Sequence, residues 1–169
     1  MGVIVNKVAQ SGIITLDLEN FKYKEEILSF DLEPFLFKGM ILREKDFRQA
    51  VKEFDWSIYE NKKVAVFCSA DAIIPMWAYM LITTYLNGVN GKAIFGKPEE
   101  VEEVLLKENI QAINEEEYQD KRVVIKGCSD KPLPESAYVE ISKKLLPVVK
   151  TLMFGEPCST VPVYKQKKK

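Results

Sequence analysis

Histidine is absent from this chain of 169 residues. Its absence removes Ser-His-Asp and Cys-His catalysis, HExxH zinc sites and every imidazole acid or base. Neither a Walker motif nor a GxGxxG run occurs, so no nucleotide cofactor is expected. Cysteine is scarce. With 3 cysteines at least one thiol stays unpaired, and reduced cytoplasmic thiols fit better than a disulfide framework. Excess charge of either sign is missing too, since Lys+Arg is 24 and Asp+Glu is 25. No global field therefore points to nucleic acid or to an acidic membrane. The basic run at the end (Lys165, Lys167, Lys168, Lys169) reads as a solubilising tail rather than a nucleic-acid arm. Long apolar runs are lacking as well. MGVIVNKVAQSG has no secretory h-region, and Ala72–Leu86 is short for a membrane span and contains Pro75.

What is present suits a soluble globular chain, with 47% hydrophobic and 29% charged residues. The length fits one domain with a real core. We read residues 1–60 as an N-terminal strand and helix extension, 61–155 as an α/β core, and 156–169 as a C-terminal loop and basic tail.

Val3–Gln10 is a short apolar stretch. Ile13–Leu18 alternates and is rich in β-branched residues, which predicts an edge strand; Glu25–Asp31 reads as a second strand pairing with it. Pro34 and Gly39 bracket a single helical turn, and the spacing of Phe47, Ala50, Val51 and Phe54 predicts an amphipathic helix over Arg43–Phe54. Val64–Phe67 reads as a buried strand and Lys92–Phe95 as a second short strand, with an apolar helix between them that Asp71 can cap and whose first turn holds Pro75. Pro98-Glu99-Glu100 opens a helix that buries Val101, Val104 and Leu105. Arg122–Lys126 is a third strand, and its helix starts near Pro134, bends or restarts at Pro147, and stops at Gly155. The fold class that follows is α/β: a three-layer sandwich with a short, mainly parallel sheet, its βαβαβα core spanning residues 62–154.

One grammar occurs twice. Lys63-Val64-Ala65-Val66 matches Arg122-Val123-Val124-Ile125, Cys68-Ser69 matches Cys128-Ser129, and Pro75 through Tyr79 matches Pro134 through Tyr138. Ligands of open α/β sheets bind beyond the carboxyl ends of the strands. With Val64–Phe67 central and flanked by Arg122–Lys126, Cys68 and Cys128 become neighbours there, each before a helix N-terminus that favours thiolate. Cys158, also followed by a serine, joins them if the last loop folds back. Asp71, Asp130 and Glu156 are candidate additional ligands, and Ser69 and Ser129 line the same turns. Three thiolates with a carboxylate or water suit zinc, iron or an iron–sulfur cluster. The alternative is inert packing, because free cysteine is often simply buried.

Other groups have blander readings. Arg43-Glu44-Lys45-Asp46 is an anion site or a solvated helix face, and Asp17 and Glu19 share one face of a strand. Gly127 after Lys126 admits a ligand's close approach or only relieves a turn. Trp77, Tyr79 and Tyr85 are core, or part of a homodimer seam along Ala72–Leu86.

Five stretches, IVNKVAQSGIITLDL, GMILREKDFR, CSADAIIPMWAYML, VIKGCSDKPLPESAYV and PVVKTLMFGEPCSTVPVYK, resemble the bacterial family "domain of unknown function 2480" from Val3 to Lys165. The resemblance carries over no catalytic residues. It implies genes near SUF-type iron–sulfur assembly genes, and so iron–sulfur assembly proteins as partners. Three functions follow as expectations: a metal- or cluster-binding accessory protein using Cys68, Cys128 and Cys158, a cysteine-dependent sulfur-handling enzyme, and a non-catalytic interaction module.

Overall fold

The computed structural model describes residues 12–126, 132–156 and 159–167. Its strands are β1 (Ile13–Leu16), β2 (Ile27–Asp31), β3 (Lys63–Phe67), β4 (Lys92–Phe95), β5 (Arg122–Ile125), β6 (Thr151–Glu156) and β7 (Ser159–Lys165). Its helices are α1 (Glu44–Glu53), α2 (Met76–Gly88), α3 (Pro98–Gln111) and α4 (Glu135–Leu145). The α/β class with mainly parallel pairing is the one the sequence indicates. The strands, however, are divided between two sheets, ordered β2-β3-β4 and β1-β5-β6-β7. The arrangement that makes β3 and β5 neighbours is therefore not found. The chain divides into two compact units. One is continuous, Lys24–Glu102, and the other combines the described residues on either side of it.

In the Lys24–Glu102 unit, alternate residues Leu28, Phe30, Val64, Val66 and Ala93 face the helices. Phe47 and Val51 come from α1, and Ala78, Ile82 and Leu86 come from α2. These are the spacings at which a 3.6-residue helix returns to one face. Helix α2 begins only at Met76, with Pro75 at the N-cap position and no side-chain cap. Asp71 is exposed and does not cap it. A residue preceding proline is pushed out of helical geometry, so Ile74 blocks any earlier start.

In the other unit the facing residues are Leu16, Val123, Ile125 and Leu152, packed with Leu106, Ile110, Ala137, Ile141 and Leu145. Leu105 of α3 is buried here and Val104 is only half-buried; Val101 of the same helix is buried too but belongs to the Lys24–Glu102 unit. The segment expected to continue as helix and loop after Pro147 is instead the β6–β7 hairpin. Leu152–Phe154 is too short and too fully apolar to show a period, and Pro162 masks the alternation of Val161 and Val163. Pro162 is tolerated because β7 lies at a sheet edge, where a missing N–H costs no ladder bond. Likewise β1 is an edge strand, as expected, but β2 pairs with β3 rather than with β1. Both strands run parallel to their partners, and the intervening segment folds as a 3-10 turn, Leu18–Phe21.

The internal repeat extends further than the two cysteine turns. A constant shift of 59 positions carries the 3-10 turn Trp56–Tyr59 onto Glu115–Tyr118, Lys63 onto Arg122, Met76 onto Glu135 and Lys92 onto Thr151. The ladders keep step: Ile27, Lys63 and Lys92 stand side by side in one sheet, and Ile13, Arg122 and Thr151 in the other. Asn61 and Asp120 both take left-handed backbone, with φ of 57° and 58°, and donate their N–H to Val89 and Val148. Even the detached first strands agree, since each runs into the triplet Asp-Leu-Glu: Asp17-Leu18-Glu19 and Asp31-Leu32-Glu33.

Candidate functional site

Parallel strands bring side chains together at their carboxyl ends, and each unit has one such end. In the unit built on β1, β5 and β6, Asp17 follows β1 and Lys126 follows β5. Asp17 Oδ1 accepts the Glu19 N–H at 3.0 Å and its Oδ2 accepts Lys126 Nζ at 2.8 Å. The Lys126 hydrogen bond holds the Asp17 carboxyl below its ordinary value. The same bond raises Lys126, helped by the negative charges of Asp17, Glu156 and Glu19. Asp17 and Glu19 are thus not a free carboxylate pair; Asp17 anchors a turn and an ammonium. Glu156 closes β6, and its Oε1 is buried without a hydrogen-bond partner among the described residues. Tyr138, on α4, is pushed up by burial and then by Asp17 and Glu19. Beside it lies a cleft of about 390 Å³, lined by Ile125, Tyr138, Ser142, Leu152, Phe154 and Val163 among others.

In the other unit Asp31 takes the place of Asp17. Burial pushes its carboxyl up, yet hydrogen bonds from Ser69 and Glu33 outweigh this and hold it below its ordinary value. The Ser69 N–H donates to Asp31 Oδ1 at 2.9 Å, which pins the start of the cysteine turn to the end of β2. Cys68 is half-buried against the aromatic core, and Ser69 and Asp71 are exposed. Tyr79 is pushed up by burial and by the neighbouring Cys68. The shift of 59 recurs here: Tyr79 meets Phe95 edge-on at 5.4 Å, and Tyr138 meets Phe154 at 5.7 Å. The same shift pairs Cys68 with Gly127 and Cys128 with Ser69, one position out of step with the match of the two Cys-Ser pairs.

The expected site residues are thus distributed. Cys68, Ser69 and Asp71 belong to the turn after β3, and Glu156 to the end of β6 in the other sheet. Gly127, Cys128, Ser129, Asp130 and Cys158 lie outside the described residues, as does Val3–Gln10. Among the described residues no group of three or more Cys, Asp or Glu is placed to hold a metal ion. Sequence reasoning missed the pairing of Lys126 with Asp17, the role of Asp31 and the two Tyr–Phe pairs; the repeated Asp-Leu-Glu was the signal for Asp31 as the counterpart of Asp17. Trp77 packs on Phe47, and Tyr85 stacks on Trp56 at 5.1 Å, as core aromatics do. Arg43 lies over the Phe37 ring and pairs with Asp46 on an exposed face. No described helix is long and apolar enough to cross a membrane.

No curated protein and no solved structure matches the chain. One family model does, over residues 2–166, and its description is "Protein of unknown function (DUF2480)". With nearly the whole chain matched, this protein belongs to the DUF2480 family.

Proposed function

We propose that the carboxyl end of the β1-β5-β6-β7 sheet holds zinc, iron or an iron–sulfur cluster through Cys128 and Cys158, with Glu156 as a carboxylate beside them. The observation that carries this reading is the pairing of β5 with β6. They are adjacent and parallel, and in sequence Cys128 follows one and Cys158 follows the other. The buried, unpartnered oxygen of Glu156 adds a carboxylate two residues before Cys158. Soft thiolates with one carboxylate suit these metals. The accessory role in iron–sulfur metabolism, and assembly proteins as partners, rest on the gene neighbourhood that the family resemblance implies. Cys68 follows a strand of the other sheet and is not among the ligands proposed.

Metal analysis and absorption spectra of protein purified without oxygen test the proposal. Bound metal is expected, lost in Cys128→Ser and Cys158→Ser and reduced about tenfold or more in Glu156→Gln. A metal-free protein, or a content unchanged in the double cysteine variant, overturns it. Cys68→Ser reads the third thiol on its own. Alkylation rates against pH separate the sulfur-handling enzyme, which requires one fast thiol of depressed pKa, from a site where Cys128 and Cys158 are protected by metal.

A further inference from the structure

The internal repeat shows one strand edge covered in one unit and open in the other. Strand β6 carries β7 on its outer side, whereas β4, its counterpart, ends its sheet with no further strand among the described residues. The equivalent rings record the difference: Phe154 is 39% exposed and Phe95 is 73% exposed.

We propose that a second copy of this chain covers β4, its own β4 running antiparallel to form one sheet in the order β2-β3-β4-β4-β3-β2. The hydrogen-bond pattern sets the register. The N–H groups of Lys92 and Gly96 donate to Lys62 and Val66, so even-numbered residues of β4 bond to β3 while Ala93 and Phe95 direct their N–H and C=O outward. An antiparallel partner that exchanges both bonds between Ala93 and Phe95 does so twice about a twofold axis. The two Ile94 residues then face each other as the close, non-hydrogen-bonded pair. This register keeps every side chain on its proper face, and it lays each exposed Phe95 ring beside the small Ala93 of the partner.

Four residues of strand cannot cover the roughly 800 Å² per partner that a stable pair needs. The remainder comes from α2 and the segment leading into it. Ile73, Met76 and Met80 are 93%, 73% and 69% exposed, and Met76 and Met80 flank Tyr79, which touches Phe95. Apolar residues this exposed, on one helix and the segment leading into it beside an open edge, need a cover. A twofold copy brings an identical stripe to meet them. Lys92 lies at the start of the edge, but its side chain points to the face away from Phe95.

Sedimentation equilibrium of the full chain tests this. A mass twice the chain's 19.4 kDa is expected at concentrations above about 1 μM. Phe95→Lys places a charge on an exposed ring, and Ala93→Pro removes an N–H that β3 does not use; each should yield monomers whose far-UV circular dichroism is unchanged. Val163→Lys, on β7, should leave the dimer intact. A wild-type monomer overturns the proposal, and so does a dimer that survives Phe95→Lys and Ala93→Pro, which would assign the contact to another surface. None of these readings depends on the cysteines or on bound metal.

Discussion

Within the Lys24–Glu102 unit, four aromatic rings lie 5.1–6.1 Å from the ring of Phe30. The core of the other unit, on ladders of matching register, is filled by Leu, Ile and Val, with aromatic rings only at its margin. Rings bring polar atoms into a core, and these demand partners. Trp56 Nε1 donates to the Val51 carbonyl at 2.8 Å, and the Tyr59 hydroxyl donates to Ser29 at 2.8 Å. At the place of Trp56 the second unit has Glu115, half-buried and paired with Lys144 at 3.0 Å. One backbone plan thus admits a directional core and a non-directional one. The directional core should be the less forgiving.

Core truncation tests that contrast most strongly. Phe47→Ala, losing a ring with 1% exposure, should cost about 3–5 kcal/mol, and Ile141→Ala about 2–5 kcal/mol. Urea unfolding measures both. Tryptophan fluorescence reports the aromatic unit, because Trp56 and Trp77 are the chain's 2 tryptophans. A greater cost for Ile141→Ala would reverse the ranking.

Next come two glycines one repeat apart, Gly96 and Gly155, with φ of 127° and 122°. Alanine at either strains the backbone by about 1–3 kcal/mol. At Gly155 an added Cβ would also sit 2.5 Å from the Ser159 carbonyl, whereas at Gly96 it meets the Glu100 side chain at 3.1 Å. Gly155→Ala should therefore lower the melting temperature clearly more than Gly96→Ala, and equal shifts would show that the hairpin yields.

Trp56→Phe should follow at about 1–3 kcal/mol, since it strips the donor from a carbonyl in the last turn of α1. Its counterpart Glu115→Gln should cost less, as partly exposed ion pairs do. Unfolding curves of the two variants side by side decide the order.

The smallest effect is the pH dependence of Asp17. Its folded-state pKa lies below that of an ordinary aspartate, so its contribution is present above the ordinary value and fades as pH falls through the folded one. The stability gap between the native chain and Asp17→Asn should therefore close in acid. A gap that is constant from neutral pH down to about 2 would mean that the Lys126 contact does not form in solution.

Periodicity made much of this fold legible. Phe47 and Val51 announced α1, and Val64–Phe67, Lys92–Phe95 and Arg122–Ile125 announced their strands. Partnership was not legible, because apolar strands of four or five residues carry no label for their neighbours. Nothing in Val64–Phe67 says that Ile27–Asp31 lies beside it rather than Arg122–Ile125. The β6–β7 hairpin was hidden by Pro147 and Pro162, which argue against strands unless an edge is available. At the strand ends, Glu156 was legible as a carboxylate near Cys158, whereas nothing marks Lys126 as paired, since a lysine at a strand's end is ordinarily solvated.

Synthesis order gives the detached first strand its own consequence. Asp17 leaves the ribosome 109 residues before the Lys126 that neutralises it, and Ile13–Leu16 is finished equally long before Arg122–Ile125 exists to pair with it. At about 5–20 residues per second, that strand spends on the order of ten seconds without its ladder. Lys24–Glu102, contiguous in the message, has everything it needs to close in that interval. The nascent chain is thus expected to carry a finished unit and an unpaired apolar leader at the same time, and that leader is where a ribosome-associated chaperone has something to hold.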